Sequence, residues 1–107
     1  MPPIRLTQAT IGVLNALFAA TPDRPAWGLS ICQEADLGSG TVYPILDRLV
    51  SSEWITSWEE DAPHPGRPPR RYYELTSTGR KEAQEALARR ASRRRFGLRH
   101  VSEGGTA

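Results

Sequence analysis

Between positions 7 and 20 the apolar residues Ile11, Leu14 and Phe18 recur at intervals of three and four, and Val13 and Leu17 widen the stripe they form. That is the period of an α-helix with one broad buried face. Thr7 stands where an N-cap is needed, with Leu6 and Ile11 spaced for a hydrophobic staple across it. A crowded core and a subunit interface would both account for so wide a face. Pro22 and Pro25 then interrupt the pattern, because each ring disfavours helix at the residue before it. A shorter helix over 27–35 follows, expected to bury Leu29, Ile31 and Cys32 and to end in the turn Asp-Leu-Gly-Ser-Gly.

Positions 38–50 read Gly-Ser-Gly-Thr-Val-Tyr-Pro-Ile-Leu-Asp-Arg-Leu-Val. A cap signal opens the stretch, and Val42, Ile45, Leu46 and Leu49 make one buried stripe with the other face left free. The free face begins with Ser39, Thr41 and Tyr43. The first amide N–H groups of a helix are unpaired and carry partial positive charge, so small polar groups and a phenol there can touch phosphates and base edges. A middle helix with a merely solvated outer face would show the same pattern. Pro44 falls where its missing N–H and its ring disturb the first full turn, a strain that a helix start at Gly40 or Thr41 would reduce. Helix, tight turn, helix is the helix-turn-helix outline, although any small helical domain can share it.

After Val50 the polar Ser51, Ser52 and Glu53 end that helix, and Trp-Ile-Thr-Ser-Trp-Glu over 54–59 changes to the aromatic and β-branched composition of a strand. A second strand over 71–75 alternates, with Tyr73 and Leu75 on one side and Tyr72 and Glu74 on the other. The loop between them, 60–70, holds Pro63, Pro65, Pro68 and Pro69, which makes it extended and semi-rigid. Two strands joined by a projecting loop directly after a helix-turn-helix make a winged helix. Thr76-Ser77-Thr78-Gly79 caps a last helix with a thin stripe of Ala83, Ala86, Leu87 and Ala91, and with Glu85 and Arg89 spaced for an i,i+4 pair. The predicted fold is mostly α with a two-stranded β wing: a winged helix-turn-helix over 1–78, a C-terminal helix over 79–98 and a disordered tail over 99–107.

Composition narrows what such a fold can be doing. At 107 residues the chain has room for one modest core. No apolar run approaches the roughly 20 residues of a membrane span, and Met-Pro-Pro-Ile-Arg-Leu-Thr is no secretory signal, so a cytoplasmic location is expected. Cys32 is the single cysteine, which excludes an internal disulfide or a thiolate cluster within one chain and fits a small core residue. Net charge is only +2, yet the basic residues are 13 Arg against one Lys and most lie in the second half. Their distribution says more than their total.

No set of side chains converges for catalysis. His64 lies between prolines in the wing and His100 in the tail, neither with an evident acid-base or metal partner, and there is no phosphate loop, nucleophile motif or zinc spacing. No cofactor or metal is expected. Glu59, Glu60 and Asp61 are expected to form a solvated acidic step at the base of the wing. Arg67, Arg70 and Arg71 differ, because no acidic residue falls between Ala62 and Tyr73. Arginine forks match phosphate oxygens and enter narrow minor grooves, and Pro68-Pro69 stiffens the loop that carries them. The run Arg-Arg-Ala-Ser-Arg-Arg-Arg over 89–95 has two readings, added phosphate contacts or a solvated helix end where cations suit the negative pole of the dipole; the absence of an aromatic or glycine pattern for stacking favours the second.

With both halves read, the chain resembles the PadR family of bacterial transcriptional regulators over about 7–87. Two segments carry the likeness: Gly40-Thr41-Val42-Tyr43-Pro44-Ile45-Leu46 with Arg48-Leu49, and Gly66-Arg67-Pro68-Pro69-Arg70-Arg71-Tyr72-Tyr73-Glu74-Leu75-Thr76 with Gly79. The single helix after the wing is similar to the smaller PadR subgroup. The resemblance implies a homodimer joined through its first and last helices, with third helices in successive major grooves of double-stranded DNA and wings on the flanking backbone or minor groove. The DNA-contacting set it implies is Ser39, Gly40, Thr41, Tyr43 and Pro44 at the helix start and Arg67, Arg70 and Arg71 in the wing. Many relatives are repressors released by a planar aromatic compound held between subunits. Two residues depart from the family pattern: Glu53 stands where a glycine usually ends the third helix, and the last helix has no tryptophan to line an aromatic pocket, Trp27, Trp54 and Trp58 lying elsewhere.

The expected function is thus a dimeric, sequence-specific DNA-binding repressor, to which the resemblance alone adds release by a small aromatic effector. The alternative is a winged-helix module that docks on another protein through its third helix and does not bind DNA specifically.

Overall fold

The structure, a computed structural model, describes residues 4–61 and 65–106, with side chains described as far as Arg94. His64, Pro63 and the side chain of His100 lie outside that description. The elements run α1 (Gln8–Ala19), β1 (Ala26–Trp27), α2 (Gly28–Ala35), α3 (Ser39–Ser51), β2 (Ile55–Glu59), β3 (Arg71–Leu75) and α4 (Ser77–Thr106). Helix α1 begins where its sequence says it should: Thr7 is the N-cap, and its hydroxyl accepts the Thr10 N–H at 3.1 Å. Val13, Leu14 and Leu17 of α1 meet Ile31 of α2 and Val42, Ile45, Leu46 and Leu49 of α3 in one core. Ile55, Tyr73 and Leu75 close that core from the sheet, and Ala83 from α4.

The wing is larger than the sequence predicts. Three antiparallel strands lie in the order β1-β3-β2, with Ala26 opposite Tyr73 and Trp27 opposite Tyr72 on one side, and Ile55 to Glu59 opposite Leu75 to Arg71 on the other. Two residues cannot display an alternating pattern, so β1 leaves no periodic signal and Trp27 is counted into the helix beside it. Trp27 is instead extended and precedes α2, where the Ser30 hydroxyl accepts its N–H and donates to its carbonyl, both at 2.9 Å. Leu29, expected inside, is 50% exposed. Moving the helix start to Gly28 leaves Ile31 to fill the core, with Cys32 packed half-buried against it.

Where β2 begins, one threonine and one glycine fix the crossing of two elements. Thr76 donates its backbone N–H to the Trp54 carbonyl at 2.9 Å, and its hydroxyl accepts the Gly79 N–H at 2.8 Å. A Cβ at Gly79 would stand only 1.8 Å from the Trp54 carbonyl oxygen, so α4 can cross here only without a side chain. Gly79 and Ala83 are buried, whereas Ala91, expected on the apolar stripe, is exposed. Helix α4 continues past 98 through the region expected to be a disordered tail. The chain has no proline after Pro69, so nothing covalent stops that helix. About 45 Å of helix follows from its 30 residues, within a molecule whose longest extent is 67 Å.

Candidate nucleic-acid interface

Helix α3 is seated by its apolar stripe and presents everything else. Val42, Leu46 and Leu49 are fully buried and Ile45 nearly so, while Ser39, Gly40, Thr41, Tyr43, Pro44, Asp47 and Arg48 are exposed. The helix starts at Ser39 after the extended N-cap Gly38, earlier than the Gly40 or Thr41 start that would spare Pro44, which therefore lies inside it. Pro44 offers no N–H to the Gly40 carbonyl, but both residues face solvent, so water can satisfy that oxygen.

Tyr43, although exposed, lies against α2. A Cβ on Gly28 would lie 2.0 Å from its hydroxyl oxygen, so the phenol lies over the bare backbone at the start of α2. Beneath it, burial lifts the Tyr73 phenol above its ordinary value; Tyr43 and Asp47 push the same way and Arg71 opposes them.

Three wing arginines reach the same place by three kinds of contact. Arg67 pairs through both terminal nitrogens with Glu60, at 3.0 and 3.1 Å. Arg70 lays its guanidinium 4.0 Å from the Trp27 ring centroid, a cation–π contact, and its Nε is buried without an acceptor among the described residues. Arg71 is exposed, donating to the Ser57 hydroxyl at 3.1 Å and lying 3.7 Å from Glu59. Tyr43, Arg67, Arg70 and Arg71 line one groove of about 340 Å³, floored by Trp27 and Gly28. The groove thus joins the start of α3 to the wing, which are separated by more than 20 positions in the sequence.

Two readings from sequence change here. The acidic run is no uniform solvated step, because Glu60 is an engaged, largely buried partner of Arg67. Nor is the basic run on α4 wholly solvated: Arg90 donates to the Leu6 carbonyl at 2.9 Å and ties α4 to the segment before α1. Sequence reasoning also missed Trp27, Gly28 and Glu60 as parts of this surface. A glycine directly after an aromatic residue was the one local signal for close approach, and nothing local marked the other two.

A helix-turn-helix followed by an arginine-bearing wing is the architecture of DNA-binding regulators, and the comparisons agree. The family model of the transcriptional regulator PadR-like family matches residues 21–85. The chain belongs to this family. As a PadR-like protein it is a DNA-binding transcriptional regulator rather than an enzyme. Its fold is shared with a PadR-like transcription factor from Bacteroides fragilis, at 25% identity and a TM-score of 0.64 over 88% of this chain and 91% of that one. A PadR family regulator from Eggerthella lenta is 26% identical, with a TM-score of 0.62 over 79% and 75% of the two chains. A PadR family regulator from Clostridium difficile shares the fold at 23% identity, with a TM-score of 0.60 over 84% and 98%. No curated protein matches the chain. No described helix of this PadR-like protein is long and apolar enough to cross a membrane.

Proposed function

We propose that this PadR-like protein is a cytoplasmic, homodimeric repressor that reads a two-fold symmetric site in double-stranded DNA. In each subunit Ser39, Gly40, Thr41, Tyr43 and Pro44 meet the major groove from the start of α3, and Arg67, Arg70 and Arg71 meet the flanking backbone from the wing. The observation that carries this reading is the single groove on which Tyr43 and all three arginines converge. Dimerisation runs through α1 and α4, whose length beyond Ala83 exceeds what one small core can cover. Under this reading residues 1–78 form the DNA-binding unit and 79–98 the dimer helix.

An effector of small aromatic type belongs to the same proposal. Within one subunit a cleft of about 470 Å³, with Trp27, Tyr72, Arg24 and Arg70 among its lining, is a place for such a molecule beside the wing.

Selection of bound duplexes from a random-sequence pool tests the reading. The expected product is an inverted repeat with half-sites about 34 Å apart, one helical turn, as two recognition helices on one face require. With about three phosphates neutralised per subunit, log affinity should fall against log salt with a slope of about −5. A flat salt dependence, or no enriched motif, would sink it.

A further inference from the structure

Adjacent glutamates at the foot of the wing stand in opposite situations. The Glu59 side chain is 63% exposed, that of Glu60 only 14%. Oε1 and Oε2 of Glu60 accept from the two terminal nitrogens of Arg67 at 3.0 and 3.1 Å, and Oε1 also accepts the Arg70 backbone N–H at 3.3 Å. The Glu60 backbone N–H donates to the Arg70 carbonyl at 2.8 Å. That bond is the rung after the last strand pair, Glu59 opposite Arg71. Further out the returning chain is Pro68-Pro69, which has no N–H to give to a ladder. The carboxylate of Glu60 therefore takes over where the backbone ladder ends.

We propose that Glu60 is the positioning residue of the wing, aiming Arg67 and Arg70 towards DNA so that a negative charge on a DNA-facing surface raises affinity for a polyanion. A bidentate pair fixes the plane of the Arg67 guanidinium, which retains part of its surface in solvent. Holding the Arg70 amide fixes the backbone from which its side chain reaches Trp27. A wing already in its docking shape loses less freedom on binding than one that must find it. This rests on the DNA-binding reading above, and it makes a prediction of opposite sign to net charge alone.

The experiment uses the full chain and the tightest duplex from the random-pool selection, with affinity measured by fluorescence anisotropy across a salt series. Glu60→Gln removes one negative charge, so charge alone predicts tighter binding. Positioning predicts binding weaker by about five- to tenfold and a log–log salt slope shallower by about 1 to 2, as arginine–phosphate contacts are lost. A variant that merely unfolds would lower the active fraction and leave the slope of the remainder unchanged. On an Arg67→Ala background Glu60→Gln should add less than about twofold, since partners in one network are not additive. Tighter binding by Glu60→Gln, an unchanged slope with the active fraction undiminished, or full additivity with Arg67→Ala would overturn the proposal while leaving DNA binding intact. No binding by the unaltered protein would overturn both.

Discussion

The start of α3 and the wing converge on one groove, yet they are held by different physics. Helix α3 is fixed by four buried aliphatic side chains, an interaction insensitive to salt and weakly dependent on direction. The wing strands share that core through Ile55, Tyr73 and Leu75, but the outer part of the wing is fixed by a carboxylate–guanidinium pair, a guanidinium over an indole and a short antiparallel ladder. Those contacts are directional, and phosphate can compete for them. Under the proposed function, the surface that reads base edges is thus carried on the rigid part, and the one that follows the backbone on the part that polyanions and salt can influence.

The sharpest way to break this contrast is in the core. Leu46→Ala removes a fully buried side chain from the base of α3 and should lower unfolding free energy by about 3 kcal/mol. Urea denaturation would measure it, and the loss should be the same at low and high salt. A strongly salt-dependent loss would mean that α3 is held by charge after all.

Gly28→Ala probes the join between the two regions. The added Cβ strikes the end of a flexible phenol rather than backbone, so the fold should survive with a loss below about 1 kcal/mol while Tyr43 is pushed from its place over α2. Affinity for the selected duplex should fall by about tenfold, equivalent to about 1.4 kcal/mol. If binding is unaffected, the seated position of Tyr43 has no part in docking.

What could be read from the chain follows the same division. Val42, Ile45, Leu46 and Leu49 announce α3 because burial writes a period into sequence, and Tyr73 with Leu75 announce β3 for the same reason. The convergence of Tyr43 with the wing arginines was legible only as two separate motifs, since their meeting depends on how the sheet folds back over α2. Glu60 and Glu59 look alike in sequence. Only the register of the hairpin decides which carboxylate turns towards Arg67, and that register starts with Ile55 opposite Leu75, five residues before Glu60. Strand β1 leaves no mark in the sequence because its pairing partner, not its own composition, makes Ala26–Trp27 a strand.

A smaller effect lies between the two regions, where α3 hands over to β2. Glu53 has φ of 62°, in the left-handed region that favours glycine, which gives the departure at this position a physical meaning. Glu53→Gly should relieve that strain and, after the greater freedom of glycine in the unfolded chain, raise stability by about 0.5–1 kcal/mol. Thermal unfolding would read it as an increase of a few degrees with unchanged DNA affinity. A decrease would mean that the Glu53 side chain contributes more than its backbone strain removes.

The smallest expected change comes from the neighbour of the positioning residue. Glu59 makes an exposed, imperfect pair with Arg71 at 3.7 Å, and such pairs contribute little because water and salt screen them while two long side chains lose freedom. Glu59→Gln should therefore shift stability by less than about 0.5 kcal/mol. It should also tighten duplex binding by no more than about threefold, most at low salt, as removal of one exposed negative charge beside a polyanion dictates. The same substitution one residue further on is expected to weaken binding, so two glutamines at neighbouring positions should move affinity in opposite directions. If both move it the same way, burial and pairing do not distinguish these carboxylates, and the wing is a charged loop with no internal order of its own.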